Sequence, residues 1–324
     1  LVKQLTAQEM SLFDQWNGHM DYTAIGNTLN IVENNSAVNC SIDTSSSASL
    51  NLAPNQTIEA AYLYWAGSGT GDFNVKLNSI SITADRTFEY SLDTNRQFFA
   101  AFKEVTELIQ DLGNELYTLS ELEQIDISES YCNTGTNFAG WALFIIYSDP
   151  SLPLNQLNVY DGLESVPDSI TIQLDNLNVL DTTGAKIGFL AWEGDAGLAV
   201  NEVLQMNGIT LSNPPLNPAN NAFNGTNSFT NASNLYNMDI DFYPIQNTIN
   251  IGDTSALIQL TSGQDLVMVN NIITVLNSQL PDATVLVEAV VQECNSREMR
   301  IEYLVNNTNS TQLLPANTPL AFYA

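Results

Sequence analysis

Residues 61–67, Ala-Tyr-Leu-Tyr-Trp-Ala-Gly, return further along the chain as residues 187–194, Ile-Gly-Phe-Leu-Ala-Trp-Glu-Gly. Trp65 answers Trp192 at a separation of 127 residues. Outward from this pair, residues 77–82 (LNSISI) are answered by residues 206–211 (MNGITL), at a separation of 129. Residues 145–153 (IIYSDPSLP) are answered by residues 273–281 (ITVLNSQLP), at a separation of 128. Three landmarks in one order at nearly one spacing mark a repeat of whole domains, because solenoid repeats run at roughly 20–50 residues. A chain of 324 residues has room for two domains of ordinary size.

The apolar segments around these landmarks read as strands. Residues 58–65, 74–83, 140–148, 157–160 and 170–174 are short, rich in Val, Ile, Tyr and Phe, and bounded by Gly, Pro, Asn or Asp. The second copy supplies 186–192, 200–211, 255–260, 266–276 and 284–292. Such spacing without alternating helices predicts an all-β fold, with two tandem jelly-roll-like sandwiches and the start of a third β-domain. Two segments depart from the pattern. Residues 98–111 place Phe99, Phe102, Val105, Leu108 and Ile109 at near-helical spacing, which predicts one turn or a short helix, and residues 8–18 have helix-like spacing at Met10, Leu12, Phe13 and Trp16. Aligning residues 49–52 (SLNL) with 171–174 (TIQL) sets the expected boundaries: a lead-in over 1–38, copy one over 39–166, copy two over 167–291, and a tail over 292–324. The tail has two strand-like pieces, 299–305 and 319–323, too few for a domain of their own. The chain therefore reads as the N-terminal part of something longer.

Acidic residues number 36 against 8 basic, a formal charge of −28. No basic patch exists to neutralise phosphates, which excludes nucleic acid, and an anionic membrane surface is excluded on the same ground. No apolar run approaches the ~20 residues of a membrane helix. Charged residues make only 14% of the chain, so its surface must be largely polar and uncharged, as in secreted β-proteins. Three cysteines are too few and too scattered for a zinc site or a disulfide framework. In an oxidising compartment the natural pair is Cys40 with Cys132, leaving Cys294 unbonded to either.

Catalysis is poorly provided for. The one histidine, His19, lies in the lead-in without a flanking signature, and no G-x-S-x-G, H-E-x-x-H or phosphate-loop motif is present. Glu193 with Asp195, or Asp239 with Asp241, has the make-up of an acid/base pair, but loop charges are the simpler reading in so acidic a chain. Calcium is the better-motivated ligand, since it takes six to eight hard oxygen donors. Asp72 follows the first Trp strand; Glu193 and Asp195 follow the second. These three are the expected metal ligands, with Asp161 and the Asp239–Asp241 pair as further donors beside turns. Trp65 and Trp192 are expected as packing residues rather than sugar platforms, because both copies carry one.

Several phrases together resemble one family: residues 61–67 (AYLYWAG), 138–150 (FAGWALFIIYSDP), 152–162 (LPLNQLNVYDG), 187–195 (IGFLAWEGD), 216–229 (LNPANNAFNGTNSF) and 277–283 (NSQLPDA). The resemblance is to the N-terminal region of very large SprB-like surface adhesins of Flavobacterium and related Bacteroidetes, exported by the type IX secretion system. It covers roughly residues 20–324, and residues 294–324 are similar to the opening of the family's adhesion-type repeats. It implies a cell-surface, non-enzymatic adhesin linked to gliding motility. The implied contacts are extracellular polysaccharide or a solid surface, and other surface or secretion-system proteins. Asp168-Ser169-Ile170 and Asp181-Thr182-Thr183 are similar to the family's short O-glycosylation motif. Two alternatives stand beside the adhesin: a glycan-active hydrolase on the tandem scaffold, and a structural subunit of a surface filament.

Overall fold

The computed structural model describes residues 8–35, 40–166, 169–175, 177, 179–197, 201–263, 265–277, 284–292, 299–307 and 316–319, to which all that follows refers. Cys294, Asp168 and the expected strand over 319–323, apart from Pro319, lie outside them. The chain is all-β apart from two short helices. Its first part contributes β1 (Gln8–Gly18), β2 (Met20–Thr28), β3 (Ser45–Ser49), β4 (Thr57–Ser68), β5 (Asn74–Leu77), β6 (Ile80–Thr83), β7 (Arg86–Ser91) and β8 (Gln97–Glu104). There follow α1 (Thr106–Leu112), β9 (Leu116–Ser120), α2 (Glu129–Cys132) and β10 (Ala139–Ser148). The second part contributes β11 (Asn155–Ser165), β12 (Ile170–Asp175), β13 (Asp181–Trp192), β14 (Val203–Met206), β15 (Ile209–Thr210), β16 (Met238–Pro244), β17 (Ser255–Thr261) and β18 (Met268–Asn277). A last ribbon pairs β19 (Thr284–Gln292) with β20 (Met299–Asn306).

The sheet orders are β2-β10-β4-β8-β7 and β3-β9-β5-β6 in the first sandwich. They are β1-β11-β18-β13-β16 and β12-β17-β14-β15 in the second. Strand for strand, β2-β10-β4-β8 matches β11-β18-β13-β16, and β3-β9-β5-β6 matches β12-β17-β14-β15. First pairs with last and second with next-to-last, which is the double Greek key of a jelly roll. Beyond the shared eight strands, β7 extends the first large sheet and β1 the second.

The two large sheets also pack on each other. Three buried clusters separate four sheet layers. One contains Leu63, Trp65, Trp141 and Leu143, inside the first sandwich. Another contains Phe189, Leu204, Ile258 and Ile272, inside the second. Between them Tyr62, Tyr64 and Phe144 meet Leu190, Trp192, Ile240 and Ile273. Strands β4, β10, β13 and β18 are therefore buried on both faces, which is why they read as continuous apolar runs rather than as alternation. The layers approach closely enough that a Cβ on Gly188 would lie 1.8 Å from the Tyr22 hydroxyl.

This layering corrects the alignment of the copies. Trp65 and Trp192 occupy equivalent strands but opposite faces: Trp65 points into the first sandwich, Trp192 into the layer between the two. A one-residue offset flips a strand's faces, and with both faces buried no polar residue marks the slip. The strand pairing also moves the boundaries. The lead-in supplies the first strand of the first sandwich, β2, and an edge strand of the second, β1. The first strand of the second sandwich, β11, lies within 39–166, and β19, expected in copy two, pairs with β20 instead. Each sandwich's first strand carries none of the repeated phrases, so the landmarks could not place it.

Of the two helical readings, that over residues 8–18 is corrected, and the short helix read within 98–111 is present as α1. Residues 8–18 form β1, whose register shifts between Gln8 and Ser11 and between Leu12 and Asp14. Those irregularities break the period-two alternation and leave apolar residues at Met10, Phe13 and Trp16. In residues 98–111 the helix is confined to α1, and Phe98 to Phe102 belong to β8. Cys40 and Cys132 form a disulfide with a Cα–Cα distance of 5.6 Å, tying the segment after β2 to α2. Closing a loop of 92 residues typically contributes about 2–4 kcal/mol.

Candidate cation centre

Strand β13 ends at Trp192, and the chain turns through Glu193, whose φ of 75° is unusual for a residue with a side chain. Gly194 follows because nothing larger fits: a Cβ there would lie 2.5 Å from Asp239 Oδ2 and 2.7 Å from the Phe223 carbonyl oxygen. The turn is held by the Glu193 amide donating to the Asn237 carbonyl at 2.7 Å. The Asp195 amide donates to Asp265 Oδ2 at 3.2 Å. The turn thereby brings Glu193 and Asp195 to Asp265, in the loop before β18. One carboxylate oxygen from each of the three lies within 4.8 Å of the others, and all three residues are buried.

More acid surrounds them. Asp239 and Asp241 project from β16 into the second sandwich, and Glu202 lies just before β14; all three are fully buried. Part of their oxygen is satisfied. Glu202 Oε1 accepts from the Phe223 amide at 2.5 Å, and Asp239 Oδ1 from the amides of Asn224 and Thr226 at 2.8 and 2.9 Å. Asp241 accepts from Ser228 Oγ at 2.6 Å, Thr226 Oγ1 at 2.8 Å and Asn217 Nδ2 at 2.9 Å. Asparagines close the other side. Asn34 Nδ2 donates to Glu193 Oε1 at 2.5 Å, Asn237 Nδ2 to Asp195 Oδ1 at 2.8 Å, and Asn221 Nδ2 to the Asp195 carbonyl at 3.3 Å. Four buried oxygens remain without a hydrogen-bond partner: Glu202 Oε2, Asp239 Oδ2, Asn34 Oδ1 and Asn221 Oδ1.

The electrostatics follow from burying like charges together. Burial, then Asp195 and Asp265, drive Glu193 well above the usual carboxylate range. Burial and the Glu33 charge raise Asp195 to about 7. Burial, with Asp195 adding to it, raises Glu202 to about 8. Burial, Asp195 and Glu202 raise Asp265 to about 9. Asp239 is raised by burial and by Asp241, and Asp241 chiefly by burial. None of the six ion pairs among the described residues involves these carboxylates. Buried carboxylates need a proton, a paired cation or a metal. Glu193, Asp195 and Asp265 are the residues that could hold a cation here, since hard oxygens are what divalent cations take.

Glu193 and Asp195 were named as donors from the sequence; Asp265, 70 residues from Asp195, and Glu202, which no motif marks, were not. Asp72 is placed elsewhere, in the first sandwich. Its oxygens accept from the amides of Glu123 at 2.9 Å, Gln124 at 3.1 Å and Asn74 at 3.4 Å, and its carbonyl takes Trp65 Nε1 at 2.7 Å. Asp161 is held by Arg86 at 2.9 and 2.5 Å. His19 Nδ1 lies 2.6 Å from the Leu152 carbonyl oxygen. A surface hollow of about 710 Å³ between Gly69, Gln97, Asp126 and Tyr131 has Asp126 as its one lining carboxylate, without the second that glycoside hydrolysis uses.

No family model matches the chain, and no curated protein does. Among solved structures, the chain is similar to BuGH86 in complex with neoagarooctaose, in two crystal structures. Each gives a TM-score of 0.24 and 10% identity over 83% of this chain, which spans 33% of that one. A likeness at that level carries no argument about fold or activity.

Proposed function

We propose that the chain is a non-enzymatic adhesive module, displayed outside the cell and anchored to a bacterial surface, that docks on polysaccharide through the two outer faces of its four-layer stack. The outer faces carry this reading. On the second sandwich, Thr171, Gln259, Gln205 and Thr210 stand in one register row across β12, β17, β14 and β15. Their strand neighbours Ile172, Ile258 and Leu204 point inward, so the row faces solvent. On the first, Ser45, Ser120, Lys76 and Ser81 form the corresponding row across β3, β9, β5 and β6, beside the pair Ser47 and Thr118. Apart from Lys76, these rows present hydroxyls and amides, which offer donors and acceptors in both senses to sugar hydroxyls without the desolvation cost of charges.

The disulfide is compatible with an extracellular location. Surface attachment, type IX export and a part in gliding motility rest on the phrase-level resemblance. The test is retention of the purified chain on insoluble neutral polysaccharides such as cellulose, chitin and agarose, with release of reducing sugar assayed in parallel. Retention without release is expected. Release of reducing ends, or no retention on any of these supports, would overturn the reading.

A further inference from the structure

We infer that Glu193, Asp195 and Asp265 bind a calcium ion inside the second jelly roll, with the unpartnered oxygens of Asn34, Asn221, Glu202 and Asp239 completing its surroundings. Two independent observations carry this. The first is the approach of three buried carboxylates to within 4.8 Å. The second is the set of four buried oxygens without a donor. Each belongs to a side chain that bears on the triad. Asn34 bonds Glu193, Asn221 bonds the Asp195 backbone, Asp239 Oδ2 lies against Gly194, and the Glu202 charge acts on Asp265. The three carboxylates offer hard oxygens of the kind calcium takes, and the unpartnered oxygens around them are all acceptors, which a cation satisfies and a hydrogen-bond donor here does not. Magnesium, which demands a strict octahedron and sheds water reluctantly, fits so many protein oxygens poorly.

The ion would also fasten the chain's beginning. Asn34 lies in the segment after β2, and its amide donates to Asn237 Oδ1 at 3.1 Å, while the Ala196 amide donates to Glu33 Oε1 at 3.0 Å. The lead-in and the second sandwich thus meet at the site. This inference stands apart from polysaccharide docking, which uses other faces.

The experiment takes the whole chain, stripped with chelator and dialysed, and titrates it with calcium and separately with magnesium by calorimetry. Melting is followed in parallel at fixed ionic strength. Calcium should give a saturable isotherm within or below the ~10⁻⁴–10⁻³ M range of extracellular calcium modules. It should raise Tm by roughly 5 °C at a hundredfold excess over Kd, with magnesium much weaker. Asp265→Asn and Glu193→Gln should each lose this isotherm and the Tm rise while melting in chelator no lower than the parent, because each puts a neutral group of the same shape in place of a buried acid. Three results would overturn the inference: no saturable heat from the parent chain, an unchanged Tm, or variants that bind calcium as the parent does. The last would assign the binding to the acidic surface.

Discussion

The loops that follow β4 and β13 occupy the same place in two copies of one fold and solve the same problem in opposite ways. After β4, Asp72 is buried, but three backbone amides point at its two oxygens. Charge-assisted bonds of this kind hold a carboxylate without any ion. After β13, Glu193 and Asp195 are as deeply buried, yet their neighbours are further carboxylates and asparagine oxygens without partners. Fold position therefore does not set the electrostatics of a loop. The supply of N–H groups does, and the second copy falls short of it.

The largest consequence is a pH dependence confined to the second copy. Asp195, Glu202 and Asp265, at about 7, 8 and 9, lie above the ~4 of an unfolded carboxyl. The folded protein thus keeps protons that the unfolded chain has lost. The stability these groups contribute in chelator is full below about pH 4 and is lost as pH rises from there to about 9, by up to about 1.4 kcal/mol per unit for each group still protonated. Calcium should flatten this slope, since it replaces the protons. Urea unfolding between pH 5 and 9, with and without calcium, reads both; stability rising with pH in chelator would break the comparison.

Next come the tryptophans. Trp65→Ala and Trp192→Ala should each cost about 3–5 kcal/mol, as truncations of fully buried rings do. They open different layers, however. Trp192 precedes Glu193 and stacks on Phe138 across the layer between the sandwiches, ring centroids 6.2 Å apart. Its loss should weaken calcium binding, whereas loss of Trp65 should leave calcium affinity unchanged. Equal effects on calcium titrations would mean the two layers are not separable.

This same layering decided how much was legible in advance. The duplication and the strand content could be read because repeated phrases and β-branched runs are local. The faces could not. The Asp239–Asp241 pair, expected as donors beside turns, lies instead within β16. Here the other large sheet covers Met238 and Ile240, so Asp239 and Asp241 point into the second sandwich. Asp265 was hidden for a different reason, since 70 residues separate it from Asp195 and only folding joins them. Residues 8–18 looked helical because register shifts in β1 replaced alternation with a spacing near three.

A middling effect separates the two loops directly. Asp72→Asn should lower stability by about 1–3 kcal/mol, because it weakens the acceptor of three amides and sets an amide donor against them. That loss should be the same in calcium and in chelator. Asp195→Asn should do the reverse, costing nothing in chelator and forfeiting the gain in calcium. A calcium-dependent loss for Asp72→Asn would give the first copy a cation site as well.

The smallest effect concerns the corresponding rows of the two outer faces, which differ in one charged residue. The first sandwich's row contains Lys76, paired with Glu121 at 2.6 Å, and the second sandwich's corresponding row has Gln205. The pair is well exposed, so Lys76→Gln should change stability by less than about 0.5 kcal/mol. It makes the two rows alike in side-chain type and leaves Glu121 without its ionic partner. If uncharged donors and acceptors do the docking, retention on neutral polysaccharide should hold or improve, with a weaker dependence on salt. If Lys76→Gln abolishes retention, the ionic pair carries the contact, and the second face, which lacks it, is not a binding surface.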